Sequence, residues 1–293
     1  MSEPTVWRLK TKPSSLRPDD RADYISAMLE EGFVGTGWVL DGAPTGVSEA
    51  VASLARAYPA ADATPRRFVR DTAVGDLVWI VDTVRGRFHL GRVSSGYRYR
   101  RNGAPWGDEA AHRFDIEWVG RYLSPENVPG GVKNALRQGN TYCRIHDEAA
   151  CRYSKLLAGL DVRAASDDFL DLLDDQALED LVGLYLQHLL KGALVPSSCK
   201  KDTAAFEYVV NAWNGDRSCV AQVKSGKRAI EDPLPDEPRE RFLFATSGEY
   251  PTELHGAQVI ERRALLDFAE RFANRLPATV TRWMTPSLDR RAA

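Results

Sequence analysis

The sequence predicts two domains of α+β and α/β class: a small, partly open β-barrel with flanking helices, then a mixed sheet flanked by helices. Three observations carry this. The 293 residues are about twice the ~150 of one domain. The first half consists largely of short alternating segments punctuated by glycine, whereas the second opens on a strong helical period. Charge also shifts: residues 1–146 hold 20 Lys/Arg against 17 Asp/Glu, and residues 147–293 hold 19 against 24. The expected boundaries are 1–146, a linker over 147–165, and 166–293.

In chain order, Thr5–Lys10 reads as a short strand. Asp19–Glu31 has helical spacing, with Asp19 or Asp20 as cap and Tyr24, Ile25, Met28 and Leu29 on one face. Phe33–Leu40 is glycine-punctuated, and Ser48–Tyr58 is a helix capped by Ser48 and stopped by Pro59. Leu77–Val84 and Arg87–Val93 form a hairpin with Leu77, Trp79 and Val81 on one face and Val78, Ile80 and Asp82 on the other. Tyr97–Arg100 alternates, and Phe114–Leu123 is a further strand. Beyond a connection that is helical around Ala149–Leu157, Asp175–Leu190 is an amphipathic helix ended by Gly192. Ala205–Trp213 and Ser218–Lys224 pair about an Asn214-Gly215 turn. Strands at Arg241–Thr246 and Gln258–Glu261 and a helix at Arg263–Leu276 close the chain.

Composition narrows the function. With 43% hydrophobic and 27% charged residues, the chain is neither collagen-like nor disordered. No apolar run approaches the ~20 residues of a membrane span, and MSEPTVWRLK lacks the apolar core of a signal peptide. Four cysteines (Cys143, Cys151, Cys199, Cys219) are too few for a disulfide scaffold, so a cytoplasmic location is expected. A net charge of −2 argues against indiscriminate attraction to nucleic acid.

The sharpest chemical pattern lies between Ala205 and Lys224. Glu207 sits in one strand, and Gln222 and Lys224 share a face of its antiparallel partner. That partner strand is otherwise apolar, and a lysine there needs a partner or a task. Glu179 flanks the apolar face of the preceding helix. This set resembles the PD-(D/E)xK nucleases, in particular their Mrr-like branch, where the third motif is often Q-x-K. Gln222-Val223-Lys224 matches that motif, Glu207 takes the place of the second-motif acid (Glu rather than Asp), and Glu179 that of the helical acid. Phe242–Gly248 and the last helix look similar too. The resemblance covers roughly residues 170–285. It implies catalytic roles for Glu179, Glu207, Gln222 and Lys224, with Mg²⁺ or Mn²⁺ held by Glu207, Gln222 and Glu179. Simple ion pairing of Glu207 with Lys224 is the bland alternative.

The front half resembles the PUA-like group that includes EVE and ASCH domains, on Val6–Lys10, Gly35-Thr36-Gly37-Trp38, Gly75–Trp79, Phe88–Val93 and Val128–Thr141. That resemblance implies RNA binding, or recognition of a modified base flipped out of duplex DNA. A flipped base needs rings to stack on and polar groups for its edge. Trp38, Trp79, Tyr97, Tyr99 and Trp118 are candidate walls, two of the five being expected to line the pocket. Asp82 or Asp41 is the candidate acceptor for an exocyclic amine. Arg98, Arg100 and Arg101 are candidate phosphate contacts.

Other patterns are discounted. Gly35-x-Gly37 lacks a third glycine, Cys143, His146 and Cys151 lack a fourth zinc ligand, and Ser197-Ser198 lack an elbow motif. The expected protein is a modification-dependent endonuclease acting on double-stranded DNA as a homodimer and without membrane partners. The alternatives are a non-catalytic or RNA-directed binding protein with a degenerate nuclease core, and a nucleotide-sensing effector.

Overall fold

The structure, a computed structural model, describes residues 3–11, 15–59, 64–101, 103–137, 141–160, 168–196, 206–230 and 239–284. The chain divides into two compact units, Met1–Val128 with Val132–Ala164, and Ala165–Ala293 with Pro129–Gly131. Both are mixed α and β structures. No helix among the described residues is long and apolar enough to cross a membrane.

The first part of the chain runs β1 (Val6–Leu9), α1 (Pro18–Glu31), β2 (Phe33–Thr36), α2 (Val47–Ala57), α3 (Thr64–Asp71), β3 (Leu77–Asp82), β4 (Arg87–Val93), β5 (Arg98–Tyr99), β6 (His112–Leu123), α4 (Gly130–Arg137), β7 (Tyr142–Arg144) and α5 (Glu148–Leu157). Its sheet has seven strands in the order β2-β6-β4-β3-β1-β7, with β5 added to β6. The long β6 joins the sheet's two parts: its first residues pair with β2 and β5, and Ile116–Leu123 pairs with β4. Among the described residues the sheet is open, with β2 and β7 at its ends.

Alternation on the β3–β4 hairpin sorts the core as expected. Val78 and Ile80 join Tyr24, Ile25, Met28 and Leu29 of α1 in one apolar cluster. Leu77, Trp79, Phe88 and Leu90 form another with Val128 and Ala150. Asp76, before β3, ties the sheet to its surroundings by accepting from Thr5 N, Trp7 Nε1 and Ala73 N at 2.8–3.0 Å.

Several boundaries differ from the sequence reading, each for a local reason. Pro18 occupies the first turn of α1 and Arg17 the cap, because a fixed φ suits that position; Asp19 and Asp20 lie within the helix. Gly46, not Ser48, precedes α2. The helices α3 and α4 were not anticipated. The expected linker is corrected over 147–160: Asp147 caps α5 through Ala150 N, and α5 packs into the first unit, where Ser154 Oγ accepts from Trp79 Nε1 at 2.8 Å.

The second part runs α6 (Asp175–Leu190), β8 (Gly192–Leu194), β9 (Tyr208–Ala212), β10 (Ser218–Lys224), β11 (Glu240–Ala245), β12 (Gln258–Val259), α7 (Arg262–Arg271) and α8 (Ala278–Met284). The expected closing helix, Arg263–Leu276, ends at Arg271, and a further short helix, α8, follows beyond it. The sheet order β12-β11-β10-β9-β8 puts β10 at the centre, as its apolar composition predicts. Pairing is antiparallel on the β9 side and parallel on the β11 side. Asp174 caps α6 through Ala177 N, and Leu178, Leu181, Val182 and Leu186 are buried. Lys191, not Gly192, adopts the left-handed conformation that ends this helix. Gly192 instead starts β8, where a Cβ would come 2.1 Å from Asn211 O.

Candidate functional site

In the second unit, the Asn214-Gly215 turn returns β10 alongside β9, so that Tyr208 lies opposite Ala221. Glu207, expected inside this strand, lies just before it, and its N–H donates to Ala221 O at 2.8 Å. Gln222 and Lys224, two residues apart on β10, share a face. Lys224 Nζ lies 3.3 Å from Glu207 Oε1, and both side chains are only about a quarter exposed (29% and 26%). The ion pair is thus present, in partial shelter.

Two further features go beyond an ion pair. The Gln222 Oε1 atom is buried and has no hydrogen-bond donor among the described residues, a costly state for a strong acceptor. Glu179 reaches the same neighbourhood from α6. Burial chiefly, then the negative charges of Glu207 and Asp175, push its carboxyl up to about 7, while Lys224 pulls the other way. Tyr208, whose hydroxyl donates to Glu179 O at 3.3 Å, fixes that turn of α6 against the sheet.

Sequence reasoning missed a supporting group. Asp175, one turn before Glu179, accepts hydrogen bonds from Ser225 Oγ and Arg228 Nη2, tying the start of α6 to the segment following Lys224. The i, i+4 spacing of Asp175 and Glu179 was the available signal.

This donor set fits a hard divalent cation. Mg²⁺ takes carboxylate and carbonyl oxygens and keeps several waters, and the site offers two carboxylates and one orphaned amide oxygen. Among the described residues no group of three or more His, Cys, Asp or Glu is placed to share an ion, so an ion here would depend on Gln222 and on water. Cys143 Sγ accepts from Arg8 Nε at 3.0 Å, and Cys151 donates to Ile145 O, its thiol pushed up to about 11 by burial. Ser197-Ser198 and Cys199 lie outside the described residues.

In the first unit, three of the five candidate aromatics come together. Tyr97 and Tyr99 pack around His112, at ring-centroid distances of 5.8 and 5.1 Å. The Trp38 carbonyl accepts from His112 Nε2 at 3.0 Å. Because a carbonyl can only accept, Nε2 carries the proton, and Tyr97 OH donates to Nδ1 at 2.7 Å. Burial holds His112 neutral by lowering its pKa. This relay pins Trp38 at φ 65°, a left-handed conformation that a tryptophan rarely adopts. Tyr99 OH closes the same loop by accepting from Leu40 N at 2.8 Å. His112 was missed because a single histidine ahead of an apolar strand reads as core.

Of the other candidates, the structure corrects Trp79 and Asp82. Trp79 is fully buried in the cluster against α5, with its indole bonded to Ser154, so it lines no pocket. Trp118 sits six residues beyond His112 on β6, packed over Gly91, where a Cβ would meet Ile116 and the indole. Asp82 is fully buried and spent on its own turn, accepting from Val84 N and Arg85 N at 2.9 Å and from the Arg85 guanidinium at 3.0 Å. Asp41 is exposed. Of the arginines, Arg98 pairs with Asp115 at 2.7 Å and Arg101 with Asp108 at 3.0 Å. Arg100 is exposed and makes no ion pair among the described residues.

No family model matches the chain, and no curated protein matches it. Among solved structures, it is similar to the YTH domain of the Zygosaccharomyces rouxii MRB1 protein in complex with N6-methyladenosine RNA. That likeness has 16% identity and a TM-score of 0.30, over 58% of this chain and 94% of that one.

Proposed function

We propose that the protein is a modification-dependent endonuclease. The first unit would read a modified base, of 5-methylcytosine type, in double-stranded DNA. The second, a PD-(D/E)xK domain, would hydrolyse phosphodiester bonds nearby. The observation that carries the reading is the meeting of Glu179, Glu207, orphaned Gln222 and Lys224 at the centre of one sheet.

Glu207, Glu179 and Gln222 would hold Mg²⁺ or Mn²⁺. Bound there, such an ion supplies charge neutralisation on the scissile phosphate and a more acidic water. Lys224, released from Glu207, would place its ammonium on the attacking water or on the charge developing at phosphorus. Asp175, Ser225 and Arg228 would hold α6 in position. Trp38, Tyr97 and Tyr99 supply the rings for stacking, with His112 fixing their geometry, and Arg100 is the arginine most open to a phosphate. With one such centre per chain, breaking both strands calls for a homodimer, and cleavage should rise faster than linearly with protein concentration.

The test is incubation with Mg²⁺ and matched plasmids carrying no modification, 5-methylcytosine, 5-hydroxymethylcytosine or N6-methyladenine. Cleavage confined to a modified plasmid is expected. Binding without cleavage would favour a binding protein with a degenerate core, and equal cleavage of all four would remove the reader.

A further inference from the structure

We propose that Thr36 is the specificity-determining residue of the aromatic site, its hydroxyl meeting the polar edge of a flat, uncharged heterocycle. The inference rests on the base-reading role of the first unit and deepens it. Thr36 is the last residue of β2 and lies directly opposite His112 on β6, which in turn lies opposite Tyr99 on β5. Residues directly opposite in antiparallel strands share a face, so these three side chains lie side by side. Tyr97 joins them through its bond to His112, and Trp38 follows two residues after Thr36.

The polar groups of this cluster are almost all spent internally. Tyr97 OH is bonded to His112 Nδ1, His112 Nε2 to Trp38 O, and Tyr99 OH to both Leu40 N and Leu40 O. The Thr36 hydroxyl is the exception. The residue is only 3% exposed, and its Oγ1 is buried without a partner among the described residues. Burying a hydroxyl unpaired is unfavourable, and native structures seldom do so without a reason. Neither Asp82, consumed by its turn, nor exposed Asp41 brings a carboxylate to the cluster. What remains is a set of π faces and one hydroxyl that can donate or accept. Such a site suits a neutral ring that offers a single polar edge atom. It disfavours a charged ligand, and a bulky polar substituent would find no further partner.

The substitution Thr36→Val keeps the branched shape that suits a strand and removes only the hydroxyl, whereas Thr36→Ser keeps the hydroxyl. Affinities of the full chain are measured with EDTA, to prevent cleavage, for duplexes carrying no modification, 5-methylcytosine, 5-hydroxymethylcytosine or N6-methyladenine. Thr36→Val should weaken binding to the duplex the wild type prefers by roughly three- to tenfold, the loss of one hydrogen bond. Thr36→Ser should retain most of the preference, and both should bind unmodified DNA as the wild type does. Thermal melting of Thr36→Val at or above the wild-type temperature shows that folding is intact. A wild-type preference left whole in Thr36→Val would overturn the inference while sparing the reader. Absence of any wild-type preference would overturn both.

Discussion

The two candidate sites treat their polar groups in opposite ways. In the aromatic cluster of the first unit, hydroxyls, imidazole and carbonyls are matched to one another, and one buried hydroxyl is left over. In the second unit, Glu179 and Glu207 crowd each other, Gln222 lacks a donor among the described residues, and Lys224 answers the acids. A self-satisfied cluster is a rigid surface for a neutral guest. An under-neutralised set of oxygens awaits a cation. The contrast separates shape recognition from electrostatic chemistry, and substitutions in one unit should leave the other's task intact.

The largest expected effect is on cleavage. Glu207→Ala and Lys224→Ala should each lower the cleavage rate by a hundredfold or more, of the order seen when one preorganised charge-stabilising group is lost. Gel-shift affinity for modified DNA should stay within about twofold, because the reader belongs to the other unit. Cleavage by either variant at the wild-type rate would break the comparison.

Next comes the extent of the first unit. A fragment ending at residue 146 removes α5 and leaves Trp79 without Ser154 and Ala150. It should lack a cooperative melting transition, while a fragment ending at residue 160 should show one.

A smaller effect belongs to the relay. His112→Phe keeps a ring but deletes the bonds to Tyr97 and to the Trp38 carbonyl. Affinity for modified DNA should fall by roughly tenfold, consistent with two hydrogen bonds, and affinity for unmodified DNA should hold.

A different readout, the pH dependence of stability, comes last. His89 is fully buried, and burial lowers its pKa from 6.5 to about 4. Between those values the unfolded chain binds the proton and the folded one does not, so stability rises with pH across the window and is lost as pH falls from 6.5 toward 4. Chemical denaturation across that range should show the slope, and His89→Phe should flatten it.

Much of the second unit was legible in the sequence because its signals are local. The Asn-Gly turn fixes which residues of β9 and β10 face each other, as far as Tyr208 opposite Ala221. The central position of β10 followed from its apolar residues. Asp175 escaped because its partners, Ser225 and Arg228, are some fifty residues away. The first unit was less legible. Alternation separated the faces of β3 and β4 correctly but could not show that α5 seals the Trp79 face, which is a long-range contact. Nor could it show that Asp82 is consumed by its own turn. The meeting of Trp38 with Tyr97, Tyr99 and His112 depends on β6 serving both parts of the sheet, a topology that no short motif encodes.

The central claim is that the oxygens of Glu207, Glu179 and Gln222 hold a divalent cation, and Mn²⁺ binding to the full chain tests it most directly. Calorimetric titration of the wild type should show a Mn²⁺ site that Glu207→Ala abolishes and Glu179→Gln weakens. Lys224→Ala should keep the site or tighten it, because the ammonium now 3.3 Å from Glu207 competes with a cation for that carboxylate. A wild type that binds no Mn²⁺, or a Glu207→Ala variant that binds it equally well, would contradict the account.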